Sequence, residues 1–159
     1  MGMSWVGYRR DQDFVDWALF DSTLVDSLVD DARDELSVDL NKAWHGIHWL
    51  LTGDPEPDTS VGSLAIFGGQ PIGEDQGYGP YQLLPVEQVA RVAVLLKPLD
   101  VNVIRGRIDT KAMTRAGVYP MIWDSPDSID QYLLPYYEDL RRFYLDAAEA
   151  GQAAFHALV

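Results

Sequence analysis

The sequence has no cysteine among its 159 residues, and it has few cationic side chains. Without thiols the chain forms no disulfide and offers neither a thiol nucleophile nor a cysteine metal site. It has 12 Lys+Arg against 25 Asp+Glu, which gives a formal net charge of −13. This excess of negative charge argues against a nucleic-acid partner, because phosphate neutralisation needs clustered Lys and Arg. The same charge argues against an anionic membrane surface, and it is compatible either with simple solubility or with a basic protein partner.

Long hydrophobic runs are also missing. No stretch approaches the ~20 apolar residues that span a bilayer. The opening MGMSWVGYRRD lacks the apolar run of a signal peptide. We therefore expect a cytoplasmic protein with no membrane association. A hydrophobic fraction of 47% in 159 residues is typical of one globular domain with a buried core.

The clearest pattern lies between Asp39 and Gly53, in DLNKAWHGIHWLLTG. Asp39 is a suitable helix N-cap, and Gly53 suits the left-handed residue that ends a helix. The apolar residues of this stretch repeat at helical spacing and predict a core-facing stripe: Leu40, Ala43, Trp44, Ile47, Leu50 and Leu51. The other side carries Asn41, His45, His48 and Thr52, with Trp49 beside them, where a solvated helix would carry Glu and Lys. We therefore expect this side to be covered, either by the stretch Gly68–Leu84 or by another protein.

The remaining patterns predict a single α+β domain over residues 1–159. Its small mixed or antiparallel sheet is predicted from strands near 3–8, 62–68, 78–84 and 152–158, packed on several helices. An early helix is expected to turn Phe14, Trp17 and Ala18 inward. A second helix is indicated by Leu24, Val25, Leu28, Val29 and Ala32, with an acidic outer face of Asp26, Asp30, Asp31 and Asp34. Later expectations are Pro85 at the first position of a helix, two short helices within 100–116, and a last helix from Ser125–Pro126 to about Ala150 that Pro135 kinks or divides.

The two neighbouring histidines admit two interpretations. His45 and His48 can bind a metal only if a third ligand is added, for example Glu74 or Asp75. The interpretation that we prefer gives each histidine a structural hydrogen bond beside the tryptophans. His48 is then expected to be the structural residue and His45 the more exposed one. We predict neither a metal nor a cofactor.

The glycine-rich stretch after residue 68 supplies the other candidates. Glu74 and Asp75 are candidates for a general acid/base pair, although loop carboxylates more often accept backbone N–H groups within their own turn. Tyr78 and Tyr81 are candidates for lining a small-molecule cleft or a protein interface, and packing in the core is about equally expected. With Trp44, His45, His48 and Trp49, these residues form the candidate ligand-binding set. No catalytic residue is assigned, because no serine lies in a recognisable nucleophile turn.

Four stretches carry a family resemblance: MGMSWVGYRR, the segment VDLNKAWHGIHWLLTG, the run IFGGQPIGEDQGYGPYQLLPVEQV and the later VYPMIW. Together they resemble the YfbM-like bacterial proteins, known as domain of unknown function 1877, over the whole chain. The residues that match the family motif are Lys42, Trp44, His48, Thr52, Gly53, Gly69, Gly79, Pro80, Tyr119 and Pro120. The resemblance implies a single compact α+β domain and brings no catalytic residues with it.

Three hypotheses for the function follow. The first, which we prefer slightly, is a non-enzymatic module that binds a basic protein partner as inhibitor or immunity-type proteins do. The second is an enzyme or small-molecule binder that uses His45, His48, Glu74 and Tyr78 beside the glycine-rich loop. The third is a metal-binding protein. We lean against an enzyme, and the sequence leaves the oligomeric state open.

Overall fold

A five-stranded antiparallel sheet forms the centre of the computed structural model, which describes residues 2–30 and 34–159. Its strands are β1 (Trp5–Arg10), β2 (Ser37–Asp39), β3 (Gln70–Asp75), β4 (Pro80–Leu84) and β5 (Ala153–Leu158). They lie in the order β2-β1-β5-β4-β3, and every neighbouring pair is antiparallel. Trp5 pairs with Leu158, so the first and last strands lie side by side at the middle of the sheet.

Helices cover both faces of this sheet. They are α1 (Gln12–Phe20), α2 (Trp44–Thr52), α3 (Val61–Phe67), α4 (Val86–Leu96), α5 (Val101–Arg105), α6 (Thr110–Arg115) and α7 (Leu134–Glu149). Two 3-10 helices at Ser22–Asp30 and Asp34–Leu36, and a π-helix at Ile129–Leu133, complete the described secondary structure.

Alternation along the strands divides the core into two clusters. On β5, Ala153 and Phe155 join the cluster that contains residues of α1 and the first 3-10 helix, whereas Ala154 joins the cluster of α2 to α7. Successive side chains of a strand point to opposite faces, which produces this division. The sheet is therefore a middle layer, with α1 and the first 3-10 helix on one face and α2 to α7 on the other.

The prediction of an α+β domain is confirmed, but the predicted strand near 62–68 is wrong. Residues Val61–Phe67 form α3 instead, and the Ser60 side chain caps this helix by accepting the N–H of Ser63. A short apolar run fits a buried helix as well as a strand. Two strands of the structure were not predicted. One is β3, which lies in the stretch predicted to be a glycine-rich loop, and the other is the three-residue edge strand β2.

Several local predictions also need correction. Asp39 ends β2 and accepts the N–H of Asn41, so α2 begins only at Trp44. Pro85 is the N-cap of α4 and not its first residue. The segment after Ser125 becomes helical only at Ile129. The second helix is a 3-10 helix that ends at Asp30, and Asp31 and Ala32, which the sequence also assigns to it, lie outside the described residues.

Other predictions are confirmed. Gly53 ends α2 with a φ of 77°. Two short helices, α5 and α6, lie within 100–116. The irregularity expected at Pro135 is present, since the π-helix gives way to α7 next to this proline. Among the described residues, no helix combines the length and apolarity needed to cross a membrane.

Candidate functional site

Two of the three histidines and two of the five tryptophans lie on α2, whose first turn follows an irregular turn after β2. Asn41 has a φ of 50°, in the left-handed region that asparagine tolerates better than most residues. This turn separates β2 from α2. Five residues of the core stripe expected from the sequence are buried, namely Leu40, Ala43, Trp44, Ile47 and Leu50, and the sixth, Leu51, is half-buried against the core. The site is therefore attached to the core by the face opposite His45.

His45 joins two loops that are distant in sequence. The backbone N–H of Tyr119 donates to Nδ1 of His45 at 2.9 Å, and Nε2 of His45 lies 2.8 Å from the carbonyl oxygen of Pro55. Because Nδ1 accepts a hydrogen bond, the proton of the neutral ring is on Nε2, which donates to Pro55. Both ring nitrogens are thus occupied by backbone groups, and neither is left to bind a ligand.

His48 is fully buried between α2 and α3. Its Nε2 and the Ser63 hydroxyl share a hydrogen bond of 3.0 Å, and Ser63 Oγ also accepts the N–H of Asp58. Burial lowers the pKa of His48 below its ordinary value. A serine beside a histidine is the arrangement of a nucleophile and its base. Here both side chains are at most 1% exposed, so a substrate has no access to Ser63 and the pair supports the packing of α2 on α3.

The ring of Trp44 connects His45 to the rest of this cluster. The two rings stack with centroids 5.0 Å apart, and Trp44 also contacts the rings of Phe67 and Tyr119. Its indole N–H donates to the carbonyl of Met3 at 2.9 Å, while the Tyr119 hydroxyl accepts the N–H of Met3 at 3.0 Å. The cover of the histidine side is therefore made by the N-terminal segment, the 54–60 loop, α3 and the loop around Tyr119.

The stretch Gly68–Leu84 is one of the two covers that the sequence predicts for the histidines. Most of it forms the β3–β4 hairpin at the edge of the sheet. Glu74 and Asp75 are exposed there, and Asp75 Oδ1 accepts the N–H of Gly77 at 2.6 Å. No hydrogen bond described in the structure joins either carboxylate to a histidine. Asp75 thus takes the turn-shaping role that was the alternative to acid/base chemistry.

The remaining candidate residues lie in three different environments. Trp49 is half-buried against the core cluster of α2 to α7. Tyr78 is exposed beside a hollow of about 130 Å³ that Phe67 and His156 also line. Tyr81 is fully buried on the opposite face of the sheet, and burial raises the pKa of its hydroxyl. The structure thus brings together Trp44, His45 and His48, and it separates them from Tyr81.

Metal binding finds no support in the described part of the chain. Residues 2–30 and 34–159 contain no group of three His, Asp or Glu side chains placed to hold an ion. His45 is already bonded at both nitrogens, and a zinc site needs at least three protein ligands.

A different surface, on α1, is chemically conspicuous. The sequence predicted that Trp17 faces inward, and this is wrong. Val15 and Ala18 are the buried residues of α1, whereas Trp17 is 65% exposed and Phe20 is 95% exposed. Residues 11–30 contain six aspartates and neither lysine nor arginine. All six are exposed: Asp11, Asp13, Asp16, Asp21, Asp26 and Asp30.

Sequence reasoning missed Ser63 and Tyr119 as partners of the histidines. Ser63 is 15 residues from His48, and Tyr119 is 74 residues from His45. Residue spacing in the sequence does not predict these contacts, because they depend on how α3 and the loop around Tyr119 pack on α2. The motif match at Tyr119 marks the residue without indicating its partner.

Comparison with known proteins agrees with this architecture. The crystal structure of YfbM from Escherichia coli, described as a protein of unknown function, superimposes with a TM-score of 0.73 at 21% sequence identity. The match covers 99% of this chain and 100% of that one, and at this identity it shows a shared fold. No curated protein sequence matches the chain. The family model described as domain of unknown function DUF1877 matches residues 1–156, and the chain therefore belongs to the DUF1877 family.

Proposed function

We propose that this protein is a cytoplasmic, non-enzymatic module that binds a basic protein partner, in the manner of an inhibitor or immunity protein. The observation that carries the proposal is the distribution of charge. The chain has a net charge of −13, and residues 11–30 alone contribute six exposed carboxylates without a cation. A predominantly negative surface attracts a partner of the opposite sign and accelerates the encounter.

The histidine cluster supports a binding role over catalysis. His45 is held by backbone groups at both ring nitrogens, and the Ser63–His48 pair is buried. Side chains with such structural hydrogen bonds stabilise the fold, and a partner would be recognised by exposed residues instead. A side chain held in place before binding loses less conformational entropy in the complex, which favours affinity.

A salt-dependent capture experiment tests the proposal. The full chain is immobilised and exposed to a lysate of its native host, and bound proteins are eluted by raising the salt concentration. We expect a basic protein to be retained at low salt and released at about 1 M salt, where the Debye length is about 3 Å. The purified partner should form a stoichiometric complex, and its own activity should fall when it is bound.

The control is an unrelated acidic protein of similar isoelectric point, about 4.3, on the same resin. It separates specific capture from ion exchange, which any acidic protein shows. If no salt-sensitive partner is recovered, or if the control retains the same protein equally well, the proposed function is wrong.

A further inference from the structure

Helix α1 presents an unusual face to solvent. Residues 17 and 20 are three positions apart, so Trp17 and Phe20 lie on the same side of the helix. Asp13 and Asp16 precede them by four positions and extend the same exposed stripe. The Asp11 side chain caps α1 by accepting the N–H of Phe14, and this hydrogen bond stabilises the first turn of the helix.

The exposed rings are not needed to hold α1 in place. Val15 and Ala18 are buried against the sheet layer, and Phe14 packs edge-on against Phe155 with centroids 5.4 Å apart. Burial of a large apolar side chain stabilises a fold, and at 95% exposure Phe20 contributes little of that stabilisation in the free protein. Single exposed hydrophobic residues are ordinary. Two large aromatic residues on one helical face are the anchor pattern of a helix that docks in a groove.

The surroundings of the two rings determine the chemistry of the partner. Asp13, Asp30 and Ser27 line an open cleft of ≈ 630 Å³ beside Trp17. Arg10 lines the same cleft with its guanidinium over the ring of Phe14, 5.7 Å from the centroid. A partner lysine or arginine that enters beside Trp17 meets the indole and the carboxylates of Asp13 and Asp30, and the carboxylates that line the cleft outnumber the Arg10 guanidinium.

We propose that α1 is the docking element, inserting Trp17 and Phe20 into an apolar groove of a basic protein whose rim cations meet Asp13, Asp16 and Asp30. This inference rests on the proposed function and adds the surface and the mode of recognition. A second copy of this chain is a poorer occupant, because it would oppose aspartates to aspartates. An anionic membrane is repelled for the same reason.

Photocrosslinking tests the docking surface directly. Phe20→p-benzoylphenylalanine places a photoreactive group at the C-terminal end of this face. Val94→p-benzoylphenylalanine is the matched control. Val94 is 75% exposed on α4, which lies across the sheet from α1. Irradiation in the native host should give an adduct with a basic protein at position 20 and none at position 94. The yield should fall roughly tenfold when Asp13→Asn and Asp16→Asn are added, because the steering charges are lost.

Affinity for the purified partner supplies the second measurement. Trp17→Ser with Phe20→Ser should weaken binding at least about 30-fold, as expected for loss of an aromatic hot spot. The control, Val94→Ser with Val103→Ser, removes two exposed apolar side chains elsewhere and should leave affinity unchanged. Equal denaturant midpoints for the two variants show that both remain folded.

Three results would overturn the docking surface. They are no adduct at position 20, an equal adduct at position 94, or an adduct with a lipid or a second copy of this chain. A partner that is captured with salt dependence but binds the Trp17→Ser, Phe20→Ser variant normally refutes the role of α1 and leaves the proposed function standing. Failure of the salt-dependent capture itself refutes the proposed function.

Discussion

The backbone N–H of Tyr119 donates a 2.9 Å hydrogen bond to Nδ1 of His45, across 74 residues of sequence. With the bond from Nε2 to the Pro55 carbonyl, this histidine holds two loops against α2. The imidazole thus acts as a structural cross-link whose two ends are both backbone groups. Such a role requires a ring with one donor and one acceptor nitrogen, which only neutral histidine provides.

Replacing His45 is therefore expected to loosen both loops. In His45→Phe the ring stack with Trp44 is kept and both hydrogen bonds are lost, so the free energy of unfolding should fall by about 1–3 kcal/mol. His45→Ala should lose somewhat more, because the ring contact also disappears. Denaturant unfolding of both variants measures this difference. A His45→Phe variant as stable as the wild type would show that the two bonds contribute nothing net.

The Ser63–His48 pair should behave as a coupled structural unit. Ser63→Ala leaves a buried imidazole nitrogen and the Asp58 N–H without their partner, and we expect a loss of about 1–3 kcal/mol. In a double-mutant cycle with His48→Phe, the coupling energy should be about 0.5–3 kcal/mol. Additive effects would mean that the two side chains do not stabilise each other, and the pair would then need another explanation.

The buried His156 should make stability depend on pH. It is stacked on Trp5, and its Nε2 donates to the carbonyl of Gly68 at 2.7 Å. Burial lowers its pKa from 6.5 to about 4, against the opposing effect of that hydrogen bond. The unfolded chain therefore takes up this proton near pH 6.5 and the folded chain only near pH 4. The free energy of unfolding is therefore unaffected by the titration of His156 above pH 6.5. It declines as the pH falls toward 4, by up to about 3 kcal/mol.

His156→Phe provides the comparison, because it keeps a ring against Trp5 and cannot take up a proton. Unfolding free energies of both proteins are measured at about pH 7 and about pH 5. The wild type should lose more stability than the variant between these two conditions. His48 is present in both proteins, so its contribution cancels in the difference. Parallel pH profiles would show that His156 does not carry the effect.

A side chain at Gly73, in the bulge of β3, should destabilise the fold. Its φ is 82°, and an added Cβ would lie 2.5 Å from Cγ2 of Val25 in the 3-10 helix. Gly73→Ala combines this overlap with backbone strain, and we expect a loss of about 2–4 kcal/mol. Gly53→Ala is the control, since its φ is 77° and no atom lies within 4 Å of the added Cβ.

The control variant should lose only about 1–2 kcal/mol from backbone strain. In the double variant Gly73→Ala, Val25→Ala the overlap is relieved. Its loss of unfolding free energy should therefore be smaller than the sum of the losses of the two single variants. Thermal unfolding of the four variants measures these differences. Equal losses for Gly73→Ala and Gly53→Ala would show that the contact with Val25 is relieved without cost.

The sequence by itself determined the elements whose signals are local. Helical spacing predicted the buried stripe of α2, Gly53 marked its end because left-handed backbone favours glycine, and Pro135 marked the break before α7. The strands β1, β4 and β5 were also recognisable. A net charge of −13 is a property of composition alone, and it is compatible with a basic partner.

Only the tertiary structure decided between helix and strand, or between a buried and an exposed position, where the local sequence fits both. The run Leu64–Phe67 suits a strand or a helix, and it is helical where Ser60 caps it and Ser63 meets His48. Trp17 has the hydrophobicity of a core residue, yet α1 is rotated so that the smaller Val15 and Ala18 contact the sheet layer. Of the two partners of His45, Pro55 lies in the loop that follows α2, whereas Tyr119 is 74 residues away and only long-range packing places it there.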